Sequence, residues 1–190
     1  MDRTRTIQST TPFRVLANDP SLTAWGWAIV NADGTVEKAG CIKTASENKV
    51  RRIRKGDDTV RRVSEINYIL LELIRSNNVR MLLSELPHGS QNASAAVMMG
   101  IVTGIVQTIA DTLELPVEWY SEGDAKKHLL HKRSATKNET ITAISKIYTV
   151  PWRNVKYIDE AIADAMAVYH VAAYQSSILR SHFGDYSIKK

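Results

Sequence analysis

The run Val79-Arg80-Met81-Leu82-Leu83-Ser84-Glu85-Leu86 constrains this chain more than any other segment. It is nearly continuous in apolar residues and is closed by Pro87, which predicts a central strand covered on both faces. A strand of that kind pairs in parallel, with helices laid over the sheet. Glu85 is the one carboxylate inside it. Burying an unpaired carboxylate costs several kcal/mol, so Glu85 must be paired, solvated at the strand end, or bound to a cation.

The rest of the chain arranges itself around that strand. Residues 1–12 are polar and rich in Thr and Arg, and read as a loose arm. Phe13 to Ala17 is a short apolar strand that stops at Asn18-Asp19-Pro20, because proline supplies no donor and restricts the residue before it. Trp25 to Val30 is a second strand. Asn31-Ala32-Asp33-Gly34 supplies hairpin chemistry, and Val36 to Thr44 is a third strand. Apolar residues at Val60, Val63, Ile66, Ile69, Leu70, Leu73 and Ile74 have helical spacing over Thr59 to Ile74. Ser90 to Leu113 predicts a long helix that is apolar on most sides, and therefore buried or dimer-forming. Pro116 to Tyr120 is a fifth strand, 122–130 and 137–148 are two short helices, and Asp159 to about Leu179 is the last helix. The order of elements resembles an RNase H-like α/β domain over residues 13–180, a five-stranded mixed sheet with helices on both faces. Residues 181–190 form a tail.

Composition excludes several classes. A lone cysteine, Cys41, cannot form an internal disulfide, and the polar start Met-Asp-Arg-Thr-Arg-Thr is unlike a signal peptide. No uninterrupted apolar run approaches the ~20 residues of a membrane span, so a cytoplasmic protein without a membrane partner is expected. There is no glycine-rich phosphate loop, no nucleophile elbow around Ser84, and no zinc spacing around His128 and His131. The formal charge of +5 is modest, but its distribution is not even. Lys49, Arg51, Arg52, Arg54, Lys55, Arg61 and Arg62 stand against only Asp57 and Asp58. A second cluster holds Lys126, Lys127, His128, His131, Lys132, Arg133 and Lys137. Each cluster is either a solvated face or a contact for nucleic-acid phosphates.

Three acids share an unusual setting. Asp19 ends the first strand, Glu85 ends the apolar one, and Asp164 lies among small apolar residues in Ala161-Ile162-Ala163-Asp164-Ala165-Met166-Ala167. Any one could be a salt bridge or a cap. Three at the ends of core elements suit two-metal phosphodiester hydrolysis, in which carboxylates converge on cations ~3.5–4 Å apart. Hard cations such as Mg²⁺ take oxygen ligands, and the cations relieve repulsion between the acids.

These residues also carry a resemblance. Asp19-Pro20-Ser21 followed by Trp25-Gly26-Trp27-Ala28 resembles the first motif of RuvC-type Holliday junction resolvases. Glu85 stands at their second acid, and Asp164-Ala165-Met166-Ala167 resembles their terminal Asp-Ala-Leu-Ala helix. Lys126 and Lys137 have the spacing of two functional lysines of that family, and the match runs from about residue 13 to 174. Within the family the chain looks more like the phage-encoded branch.

The resemblance implies a homodimeric Mg²⁺-dependent endonuclease that nicks four-way DNA junctions in pairs, with two Mg²⁺ per site and Mn²⁺ able to substitute. It places Lys137 near the scissile phosphate and Lys126 on the DNA backbone; the charge distribution adds Arg51, Arg52 and Arg54 as further DNA contacts, and the apolar pattern makes helix 90–113 the expected dimer seam. Rival readings are a related nuclease acting on RNA or branched replication intermediates, or a junction-binding protein without catalysis.

Two departures stand out. The family commonly carries an acid three residues before the last one, where this chain has Ala161. At ~100° per residue, Glu160 lies about 40° around the helix from Asp164 and Asp159 about 140° away. Geometry therefore favours Glu160 as the fourth metal ligand, with Asp159 at the helix start. His88 replaces an aromatic residue that intrudes at the junction in bacterial relatives.

Overall fold

The structure is a computed structural model and describes residues 13–31 and 33–183. The arm expected over 1–12, and the tail beyond Phe183, lie outside the described residues.

Strands β1 (Arg14–Asp19), β2 (Ala24–Asn31) and β3 (Val36–Lys43) form an antiparallel meander. Helices α1 (Asn48–Arg51) and α2 (Lys55–Ser76) follow, then β4 (Val79–Leu86), which pairs parallel to β1. Helix α3 (Ala93–Thr112) leads to β5 (Val117–Ser121), parallel to β4. The chain ends with α4 (Glu122–Leu130), α5 (Lys137–Ile147), α6 (Lys156–Gln175) and α7 (Ser177–Phe183). The sheet order is β3-β2-β1-β4-β5, a five-stranded mixed sheet as expected.

Side-chain alternation along the strands sorts the core into two halves. Val15, Ala17, Met81 and Leu83 face α6 and its neighbours, with Ile162, Met166 and Ile144. Leu16, Trp25, Ile29 and Leu82 face α2 and α3, with Ile66, Leu70 and Val106. Of the two tryptophans on β2, Trp25 is the one fully buried in the core, where its indole N–H donates to Asn18 Oδ1 at 3.1 Å. Residues Ala161 to Ala172 of α6 are all buried, because the helix lies on the sheet and is flanked by α4 and α5. His170 is buried, and its Nδ1 lies 3.0 Å from the Tyr148 hydroxyl oxygen.

Several boundaries differ from expectation. Helix α2 begins at Lys55 rather than Thr59, because Asp57 and Asp58 in its first turn complement the helix dipole. Helix α1 carries no periodic apolar pattern and was not legible. Helix α6 begins at Lys156, three residues before Asp159, and ends at Gln175. Ser176 breaks it, and its hydroxyl both donates to Glu118 Oε1 (2.8 Å) and accepts from the Leu179 backbone N–H (3.1 Å). Helix α7 thus runs past the boundary expected at residue 180.

Helix α3 is long and apolar enough to cross a membrane by length and composition alone, although Ser94, Thr103 and Gln107 interrupt its apolar run. In the fold it packs through Val102, Ile105, Val106, Ile109 and Ala110 against the sheet and α2, which accounts for one side of its apolar surface.

Candidate active site

Asp19 and Glu85 each follow the paired residues Asn18 and Ser84 at the C-terminal ends of adjacent parallel strands. By alternation both share the face of Ala17 and Leu83, which is the face α6 covers. Asp164 lies on α6, nearly fully buried. A close approach brings that helix down: a Cβ added at Gly26, the residue opposite Asp19, would lie 2.0 Å from the Ala161 carbonyl oxygen. Only glycine lets α6 sit so near the sheet. The three acids, spread over 145 residues of sequence, therefore meet at one sheet edge, the usual ligand position in open α/β folds.

Their electrostatics match. Burial, reinforced by the Asp164 charge, pushes Asp19 up to about 7. Burial, then the charges of Asp19 and Asp164, pushes Glu85 up to about 8. Burial also raises Asp164, against the opposing pull of Lys137. Lys137 is the first residue of α5, whose start is fixed by a capping box between Thr136 and Glu139. Its ammonium bonds Asp164 Oδ2. Burial pulls the lysine down, but Asp164, Asp19 and Glu122 outweigh it and its affinity for the proton is raised.

The donor set fits hard divalent cations: all oxygen, clustered, and costly to ionise without a compensating positive charge. Among the described residues no three acidic, histidine or cysteine side chains stand close enough, as arranged, to chelate one ion. Here Lys137 supplies the positive charge at Asp164. A cation there would be held by Asp19, Glu85 and Asp164 and would take over the charge that Lys137 now offers Asp164.

The expected residues do not all converge. Glu160 is half-buried on the second turn of α6 and is not among the principal charges acting on Asp19, Glu85 or Asp164. Angle about the helix axis leaves out height, and four residues are about 6 Å along that axis. The position that faces the sheet, 161, is taken by an alanine whose backbone meets Gly26. Asp159 does not cap α6, which starts three residues earlier, but accepts from the Arg153 backbone N–H at 2.8 Å and ties the preceding loop to the helix. The acid that does act on all three is Glu122, which was not among the residues expected from sequence. Its signal was positional: an acid directly after a strand that parallels the Glu85 strand.

Lys126 is buried and bonds Glu122 rather than standing free for DNA. Glu122 is lowered chiefly by that bond. Arg51 pairs with Glu47 and Arg54 with Asp57, both at the surface, while Arg52 caps α1 with a left-handed backbone. Arg61 and Arg62 are structural: Arg61 bonds buried Asp58, and Arg62 bonds Thr44 and the Leu22 carbonyl. His88 is exposed, with Nδ1 4.0 Å from Glu122 Oε2. A cleft of about 580 Å³ beside the acids is lined by Glu85, Glu122, His88, Ser21 and Met99, among others.

The sheet order, the helices on both faces and the acids at the β1–β4 edge define an RNase H-like nuclease. The model of the family "Crossover junction endodeoxyribonuclease RuvC" matches residues 15–170. The chain therefore belongs to the RuvC family. It is 25% identical over 160 residues to the RuvC of Gluconobacter oxydans, covering 83% of this chain and 89% of that one. It is 23% identical over 163 residues to the RuvC of Chlamydia caviae, covering 84% and 94%. Among solved structures, Thermus thermophilus RuvC in complex with a Holliday junction substrate matches with a TM-score of 0.66 at 20% identity, covering 85% of this chain and 93% of that one. The yeast mitochondrial Holliday junction resolvase matches with a TM-score of 0.62 at 10% identity, covering 92% and 81%.

Proposed function

We propose that this chain is a structure-selective DNA endonuclease that resolves four-way junctions by paired phosphodiester hydrolysis, acting on DNA in the cytoplasm. The observation that carries the reading is the convergence of Asp19, Glu85 and Asp164, with Lys137, at the edge where β1 and β4 end. Family membership and the junction-bound Thermus relative support the substrate.

Asp19, Glu85 and Asp164 would hold two Mg²⁺ ions, with Mn²⁺ an adequate substitute. When bound, the cations supply electrophilic charge at the scissile phosphate. The carboxylates orient them and, buried as they are, bind them more tightly the more fully they are ionised. Lys137, freed from Asp164, places its ammonium against phosphate oxygens and offsets negative charge that builds there. Lys126 stays beside Glu122 and offsets that carboxylate's charge at the edge of the site. Arg51, Arg52 and Arg54 lie outside the acid cluster and suit contact with a junction arm.

Paired cleavage calls for two copies related by a two-fold axis. Helix α3 supports a homodimer: Ala93, Ala96, Val97, Gly100 and Gly104 form an exposed small or apolar stripe. A Cβ at Gly100 or Gly104 would meet nothing within 4 Å, so a second α3 can approach closely.

The deciding experiment is Mg²⁺-dependent cleavage of a four-way junction, a linear duplex, a replication fork and an RNA–DNA hybrid, by wild type and Glu85→Gln. Symmetric nicking of the junction alone is expected, with cleavage lost and junction binding kept in the variant. Equal cleavage of the hybrid or duplex, or wild-type cleavage by Glu85→Gln, refutes the reading.

A further inference from the structure

Glu122 is the first residue of α4 and follows β5 directly. The β4–β5 register pairs Glu85 with Tyr120 and Leu86 with Ser121, so Glu122 emerges at the same sheet edge as Glu85, one strand over. Both acids line one cleft. Ser121 fixes the local backbone by accepting from the Asp124 N–H at 3.1 Å, which starts the helix with Glu122 in its first turn. One carboxylate oxygen, Oε1, is bonded to the buried ammonium of Lys126. The other, Oε2, looks toward His88 at 4.0 Å.

Hard divalent cations take several oxygen ligands, and a fourth carboxylate at the same edge adds donors to those of Asp19, Glu85 and Asp164. The negative charge of Glu122 already bears on all three of those acids and on Lys137.

We propose that Glu122 is the fourth carboxylate of the cation site, offered from the start of α4, with Lys126 as the positioning residue that holds it at the cleft. The inference rests on the nuclease reading above. Oε2 is the oxygen available to a cation, while Oε1 keeps its bond to Lys126. The fourth acid thus comes from the β5–α4 junction, and α6 contributes Asp164 alone.

The test is equilibrium Mn²⁺ binding to the full chain, with bound ions counted by electron paramagnetic resonance, for wild type, Glu122→Gln, Glu122→Asp, Glu160→Gln and Glu85→Gln. Glu122→Gln is expected to weaken Mn²⁺ affinity at least about tenfold, the loss typical even of supporting groups around a metal. Its cation-free melting temperature should hold, since glutamine still accepts from Lys126. Glu122→Asp, shorter but charged, should recover part of the affinity and show that charge rather than folding is at issue. Wild-type Mn²⁺ binding by Glu122→Gln overturns the inference, whatever Glu160→Gln does. Should Glu85→Gln also bind as wild type, the nuclease reading falls with it; loss in Glu85→Gln alone sinks only the role of Glu122.

Discussion

Gly26→Ala tests how the acids are brought together. The added Cβ would lie 2.0 Å from the Ala161 carbonyl oxygen and 2.5 Å from its carbon, against an ordinary contact beginning at 3.4 Å. Neither partner is a flexible side-chain tip; both are main chain, on β2 and α6. To accept the methyl group, α6 must part from the sheet by about 1 Å or more. Overpacking of this kind costs typically 1–3 kcal/mol, and a backbone–backbone clash belongs at about 3 kcal/mol or beyond. At about 2–4 °C per kcal/mol for a chain of this size, melting should fall by roughly 10 °C. Because α6 carries Asp164 and β1 carries Asp19, the same movement separates two acids of the site. A misplacement near 1 Å can cost about 10²-fold in rate. Urea unfolding and single-turnover junction cleavage measure the two effects. Gly56→Ala is the control: nothing lies within 4 Å of its Cβ and it sits in α2, so stability should hold or rise. If Gly26→Ala melts within about 2 °C of wild type and cleaves at the wild-type rate, the Gly26–Ala161 approach does not hold α6 at the sheet.

Two other outcomes follow from the electrostatics. Asp19 at about 7 and Glu85 at about 8 stand above their unfolded values of 3.8 and 4.5, so between those limits the folded state holds more protons than the unfolded one. Their contribution to stability is fully present in acid and is lost as pH rises through 7 and 8. Mg²⁺ should therefore raise the melting temperature far more at about pH 8.5 than at about pH 5.5, and equal shifts at both would refute this electrostatic picture. Removing charge at Arg51, Arg52 and Arg54 together should lower the log–log salt slope of junction binding by about one for each phosphate left without its cation. An unchanged slope would mean that the pairs with Glu47 and Asp57 are their whole role.

Periodicity and turn chemistry, which are local, settled much of this protein from its sequence. The apolar run 79–86 is β4 to the residue. The acids Asp19, Glu85 and Asp164, each out of place in its own apolar segment, were legible as one site because burial of a carboxylate needs a reason wherever it occurs. Lys137 was legible through family spacing, and the structure puts its ammonium on Asp164. The fourth acid proposed above, Glu122, was not legible. Helical angles locate Glu160 about an axis, but not which side of that axis the sheet will take or how far along it the partners stand. That depends on the close approach of Gly26 to Ala161, residues 135 positions apart. Glu122 escaped notice for the complementary reason: nothing in its own segment is unusual, and it becomes a neighbour of Glu85 only when β5 pairs beside β4. The same holds for the second basic cluster, where Lys132, Arg133 and Lys137 each meet an acid from outside their own helical turn, while Lys126 meets Glu122 one turn back on α4. Local pattern reports what a residue needs, whereas charge and coordination depend on distances that only pairing of strands and docking of helices can set.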